Sequence, residues 1–370
     1  MTDKTTNTNN NDDDGEIIFF DFTQIMNNIN KKKPIKQIEI QDEKPKINFD
    51  ISKPIKYIQK KDMKYFSDIN GLLFLCEKYK KLNNIDVQKL ILIKDDLLNI
   101  QKLIGMENLK KMLCKQILYF IQHDKKNNML FNTVLYGEPG SGKTTVAKII
   151  GNIFLNLGYL NNNRFIIAKR SDLIAGYLGQ TAIKTQKIID KAEGGVLFID
   201  EVYSLGNEGS NDSFSKECID TLNQNLSEKN FICIIAGYEN DVKKFFFSKN
   251  AGLERRFPWV FTIDKTNPYD LYLIFLNFLE KEKFVFKRTD INKLILFFKQ
   301  NKDFFKYNGG SLENFFNKIK INYFHNLFGR KKTIRKTINI QDIYDTFEIY
   351  KKYENNCTET PSPPPFGMYI

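Results

Sequence analysis

Eight residues, Gly137-Glu138-Pro139-Gly140-Ser141-Gly142-Lys143-Thr144, fit the spacing GxxxxGK[ST]. The three glycines let successive backbone N–H groups turn toward one phosphate, and a helix starting after them adds the positive end of its dipole. In such a loop Lys143 reaches the β- and γ-phosphates of ATP and Thr144 supplies an oxygen to Mg²⁺, and Thr145 is a further nucleotide-binding candidate. A second constellation is the run Val196-Leu197-Phe198-Ile199, which ends in Asp200 and Glu201. A strand this apolar has few reasons to end in two carboxylates unless Asp200 joins the Mg²⁺ shell and Glu201 acts as general base on an attacking water. A third is Arg255-Arg256, placed just before another apolar stretch. One of the two can serve as an arginine finger in a neighbouring subunit's site; the alternative is structural ion pairing.

These groups need a scaffold that holds phosphate loop and carboxylates at one edge. The short apolar runs FNTVLYG, RFIIAK, GVLFIDE, FICIIAGY and PWVFTI alternate with amphipathic stretches such as KTTVAKIIGNIFLNLG and TAIKTQKIIDKAE. Near-continuous apolar strands between helices predict a buried parallel sheet, an α/β fold with its ligands at the C-terminal ends of the strands. This core is expected over 101–264. Residues 61–100 read as a helical lead-in, and residues 1–60, rich in Asn and Lys, as a disordered arm. From Pro268 the pattern changes to helices alone, giving a helical module over 265–355. Four of the ten prolines fall in the tail, 356–370.

The totals exclude several classes. No apolar run approaches the roughly 20 residues of a membrane helix, and the N-terminus lacks the pattern of a secretory signal, so a cytoplasmic protein with no membrane partner is expected. Five scattered cysteines and two distant histidines, His123 and His325, form neither a zinc site nor a catalytic triad. A net charge of +12 is spread along the chain rather than gathered into a stripe, which makes nucleic acid a possible but second-ranked partner.

With these elements in this order, the chain resembles the AAA+ ATPases, and among them the CbbX/CfxQ/SpoVK-like group. The segments IGMENLKK, GEPGSGKTT, KRSDLIAGYLGQTAIKT, GGVLFIDEVYSL, IIAGYEN and NAGLERRF carry the resemblance from about Ile104 to Ile263. It implies a P-loop NTPase sheet in the order 5-1-4-3-2, a helical lid, and a homo-oligomer, a hexameric ring, with ATP and Mg²⁺ at subunit interfaces. It implies that Ile104 and Gly105 lie by the adenine and that Arg256, ahead of Arg255, is the finger. A sensor residue falls at Glu239 or Asn240. The lid departs from the group: Tyr307–Asn314 lacks the group's arginine, and Lys318 or Lys320 stands nearest to replace it.

The resemblance further implies that Tyr177, Leu178 and Gly179, in the turn IAGYLGQT, form a pore loop that grips a protein client. The bland alternative is a tyrosine folded back on its own domain. The expected function is therefore an ATP-hydrolysing protein remodeller. Two alternatives remain at this point: a nucleic-acid-dependent motor or loader, and a nucleotide-switched scaffold with little hydrolysis.

Overall fold

A computed structural model of the chain describes residues 68–82, 85–122, 130–177, 179–206, 213–287, 290–328 and 336–358. The arm expected over 1–60, His123, Leu178 and the tail beyond 358 lie outside the described residues.

Helices α1 (Ile69–Lys78), α2 (Val87–Leu92) and α3 (Lys94–Lys102) come first. The first two start where a carboxylate caps them: Gly71 N donates to Asp68 at 2.7 Å, and Lys89 N donates to Asp86 at 3.2 Å. Their buried residues, among them Leu72, Leu90, Leu97 and Ile100, share one core with Val146, Ile150 and Phe154 of the helix after the phosphate loop. The lead-in thus packs onto the layer that carries the nucleotide loop.

Next come α4 (Glu107–Gln122), β1 (Thr133–Tyr136), α5 (Lys143–Asn156), β2 (Phe165–Ala168), α6 (Arg170–Leu173), α7 (Thr181–Ala192) and β3 (Val196–Ile199). A 3-10 turn, Val202–Leu205, leads to α8 (Ser213–Glu228) and β4 (Ile232–Gly237), then to the single turn α9 (Glu239–Asp241) and β5 (Trp259–Thr262). The five strands form one parallel sheet in the order β2-β3-β4-β1-β5, the order that the family resemblance implies. Every residue of β1, β3 and β4 is buried, whereas β2 and β5 at the edges are partly exposed. That is why the central runs are continuously apolar: both of their faces are covered. Alternate residues serve the two faces, with Leu135, Phe198 and Ile234 in one core and Val134, Leu197 and Ile235 in the other.

A second compact unit takes in the described chain from Asn267 onward. It contains α10 (Pro268–Lys281), β6 (Phe284–Phe286), α11 (Ile291–Gln300), α12 (Asn308–Leu327), β7 (Lys336–Ile338) and α13 (Ile340–Thr358). Asn267 and Asp270 start α10 with reciprocal side chain to backbone hydrogen bonds, and Pro268 follows the cap. Phe275, Phe297, Phe298, Phe315, Phe316 and Phe347 fill its core. The expectation of helices alone is corrected here. Phe284–Phe286 pairs in parallel with Lys336–Ile338, a ladder of three residues a side that is too short for alternation to announce in sequence.

Candidate active site

The phosphate loop runs from the end of β1 into α5. Gly137 N donates to Gly237 O at 3.2 Å, which fixes the start of the loop to the end of β4. A Cβ at Gly137 would come within 2.9 Å of Ser141 Oγ and 3.2 Å of Ile263 Cβ, so any larger residue would force these neighbours to shift. Gly140 and Gly142 take φ of +67° and +89°, the left-handed region that other residues avoid. Lys143 Nζ donates to Gly137 O at 3.1 Å and to Glu138 O at 2.9 Å, folding the ammonium over the loop. Burial lowers its pKa, and the charges of Asp200 and Glu201 work in the opposite direction. The same charge field therefore joins the lysine of the loop to the two carboxylates. Thr144 is half-buried beside it, and Thr145 is exposed.

The carboxylates stand where β3 ends. Asp200 is half-buried, and its Oδ1 accepts from Glu201 N at 3.0 Å. Glu201 is exposed with φ 50° and ψ 46°, a left-handed conformation that costs a non-glycine residue about 1 kcal/mol. Ser204 N donates to Glu201 O at 2.8 Å, closing the 3-10 turn that holds this conformation.

The chemistry of the loop fits a nucleotide phosphate. Ser141 is buried, and its Oγ has no hydrogen-bond partner among the described residues, which leaves a polar atom inside the loop for a ligand oxygen to satisfy. The glycines that a Cβ would obstruct, the lysine and the uncapped helix start line the same loop. Thr144 and Asp200 are the oxygen donors available to Mg²⁺.

On the expected adenine side, Gly105 and Met106 take φ of +65° and +58°, a sharp backbone reversal next to half-buried Ile104. Met106 Cε lies 3.3 Å from where a Gly142 Cβ would stand, so this turn touches the phosphate loop. Asp264 clamps the turn: its oxygens accept from Asn108 N and Asn108 Nδ2, both at 2.8 Å. Sequence reasoning missed Asp264, because its partner lies 156 residues away and no local pattern marks it.

The two arginines differ in setting. Arg256 donates from Nε to Ser227 Oγ at 2.9 Å and from Nη1 to Gly252 O at 2.9 Å. Arg255 is exposed. Glu239 and Asn240 are exposed on α9, with Glu239 paired to Lys243 at 2.7 Å. Tyr203, two residues after Glu201, is one that the sequence did not single out. Tyr203 packs against Gly237, with its ring 5.9 Å from that of Tyr238. Burial, followed by the charge of Glu201, pushes the Tyr203 hydroxyl up to about 12.

Tyr177 is 75% exposed in a turn where Gly176 and Gly179 have open space around them, Gly179 at φ +77°. The folded-back tyrosine is therefore not what the structure places there. In the second unit, Lys320 pairs with Glu282 at 2.9 Å and Lys318 lies 4.2 Å from the Tyr350 ring centroid, so both have partners within that unit.

The profile of the ATPase family associated with various cellular activities (AAA) matches residues 133–247, from β1 through the helical turn after β4. A cfxQ-like protein, R730, of Acanthamoeba polyphaga mimivirus is 39% identical over 294 residues, covering 78% of this chain and 72% of that protein. The chain belongs to the AAA+ ATPases of the CbbX/CfxQ/SpoVK type. Stage V sporulation protein K of Bacillus subtilis is 42% identical over 166 residues, 42% of this AAA+ chain and 51% of that protein. The ESX-1 secretion system protein EccA1 of Mycobacterium tuberculosis is 40% identical over 142 residues, 37% of this chain and 25% of its own length. The chain thus spans about half and a quarter of these two relatives. Among solved structures, a RuvB of Thermotoga maritima overlays with a TM-score of 0.49 at 17% identity, covering 68% of this chain and 72% of that one. The FIGL-1 AAA domain in complex with ADP gives 0.49 at 16% identity, covering 69% and 89%. Among the described residues, no helix of this AAA+ chain is long and apolar enough to cross a membrane.

Proposed function

We propose that the chain binds ATP with Mg²⁺, hydrolyses it, assembles with copies of itself into a ring, and uses the turn at Tyr177 to grip and remodel a protein client. The observation that carries hydrolysis is the placing of Glu201, exposed in a strained left-handed conformation beside half-buried Asp200 at the end of β3. Strain of this kind persists where the surrounding structure fixes a side chain for a task.

The roles follow from the positions. Backbone N–H groups of the loop from Gly137 to Thr145, the Ser141 hydroxyl and the Lys143 ammonium would hold the phosphates, with the turn at Ile104 and Gly105 beside the base. Thr144 and Asp200 would hold Mg²⁺, which supplies charge neutralisation at the phosphate oxygens. Glu201 would orient water and take its proton. Family proteins are typically oligomeric, and an arginine from Arg255-Arg256 of one copy would complete the site of the next. Glu239 or Asn240 would sense the phosphate. Tyr177, with Leu178 and Gly179, would hold a polypeptide of varied sequence through an aromatic face on a glycine-flanked turn. The relatives' names, in sporulation and in a secretion system, suit action on other proteins.

The test is a set of variants of the full chain. Lys143→Ala should lose ATP binding, and Tyr177→Ala should keep much of the ATP turnover while losing action on a client captured in the ATP-bound state. Unimpaired remodelling by Tyr177→Ala would remove the gripping role.

A further inference from the structure

The turn that follows Glu201 and the short helix that leads to Tyr177 belong to different strands' loops, and one side chain crosses between them. Arg170, the first residue of α6, donates from Nη1 to Ser204 O at 2.5 Å and to Ser215 Oγ at 3.3 Å. Ser204 sits in the 3-10 turn whose hydrogen bond from Ser204 N to Glu201 O, at 2.8 Å, holds the Glu201 backbone. Ser215 is buried in the first turn of α8. Arg170 itself is half-buried, so its contacts are shielded from solvent screening more than those of a surface pair.

On the other side, hydrogen bonds lead from Arg170 to the exposed tyrosine. Ile174 N donates to Arg170 O at 2.9 Å and closes α6. Lys184 Nζ donates to Ile174 O at 2.9 Å, Thr185 Oγ1 to Leu173 O at 3.0 Å, and Ala175 N to Thr181 Oγ1 at 3.2 Å. Gln180 N donates to Tyr177 O at 3.3 Å, turning the chain into α7. The base of the Tyr177 turn is thus anchored to α6 and α7, while the turn itself has open space around its glycines.

We propose that Arg170 is a positioning residue that couples the backbone of Glu201 to the turn bearing Tyr177, so that a change of nucleotide state at the carboxylates alters the order of that turn. Arginine suits the task because one planar, permanently charged group can donate to acceptors on two elements at once, and its bonds to a carbonyl are charge-assisted. The inference rests on the nucleotide-binding reading above and deepens it.

Hydrogen–deuterium exchange of the full chain, with ADP and with a non-hydrolysable ATP analogue, tests it. The wild type should protect the phosphate loop, 137–145, with either nucleotide, and should protect 174–181 differently in the two states. Arg170→Gln should retain loop protection while the difference at 174–181 shrinks about tenfold, the factor that one charge-assisted hydrogen bond controls. Ser215→Ala, which removes the Ser215 Oγ acceptor, should produce a smaller loss in the same direction and guards against a fold defect in the first variant. A purely structural role would raise exchange equally in both states. A difference at 174–181 that survives both substitutions, or one absent from the wild type despite loop protection, overturns the coupling. Absence of loop protection in the wild type overturns the nucleotide reading itself, and the coupling with it.

Discussion

Ser141→Ala should change stability and nucleotide affinity in opposite directions. The Ser141 hydroxyl is buried and has no hydrogen-bond partner among the described residues. Burying a hydroxyl without a partner costs about 1–3 kcal/mol in protein mutational data. Removing it should therefore stabilise the nucleotide-free protein by about 1 kcal/mol, or roughly 2–4 °C in Tm for a domain of this size. With ATP bound, the same hydroxyl would donate to a phosphate oxygen, and a hydrogen bond to a charged group contributes about 1.5–3 kcal/mol, so Kd should rise at least about tenfold. Thermal melts without ligand and calorimetric titration with MgATP read the two quantities. A fall in Tm without ligand would show that the hydroxyl already has a partner, and an unchanged Kd would show that it does not face the ligand; either result refutes the reasoning.

Arg256→Ala removes the bonds to Ser227 and Gly252 from a half-buried side chain and should lower unfolding stability by about 1–2 kcal/mol, whereas exposed Arg255→Ala should stay within about 0.5 kcal/mol. Denaturant titration followed by the single tryptophan, Trp259, separates them. Asp264→Ala should loosen the turn at Gly105 and weaken binding of adenine nucleotides, measured as Kd, while a triphosphate analogue lacking the base loses less. Burial raises the carboxyl pKa of Asp96, with hydrogen bonds from Asn156 and Asn152 opposing the shift. The ionised form is thus penalised in the folded state; the favourable contribution is complete below the unfolded pKa of about 3.9 and is lost as pH rises through the folded value. Asp96→Asn should accordingly raise Tm at neutral pH, and the gain should vanish below about pH 4.

The parts of the fold that were legible in sequence are those with local signals. The five strands of the sheet were apolar runs bounded by turn residues, and the phosphate loop and the Asp200-Glu201 pair were contiguous motifs whose spacing reflects one ligand. The strand order followed from resemblance rather than periodicity, since register and order depend on contacts between distant segments. The β6–β7 pair was missed because three residues per strand give no measurable period. The Asp264 clamp on Asn108 and the bridge from Arg170 to Ser204 were invisible for a different reason: each joins segments far apart in sequence that only the fold brings together. The different settings of Arg255 and Arg256 could not be read from two identical neighbours in a row. Their backbone directions, set by the 3-10 turn Glu254–Arg256, decide which one lies against Ser227.

Steady-state ATP hydrolysis by the purified full chain, beside that of Glu201→Gln, tests the central claim most directly. Removing a general base at this position should lower kcat at least about 100-fold. The Kd for ATP should remain within a few-fold, since Glu201 is exposed and an ionised carboxylate has no donor to offer a phosphate. Turnover by Glu201→Gln at the wild-type rate, or a wild type that binds ATP and releases no phosphate, would contradict the account.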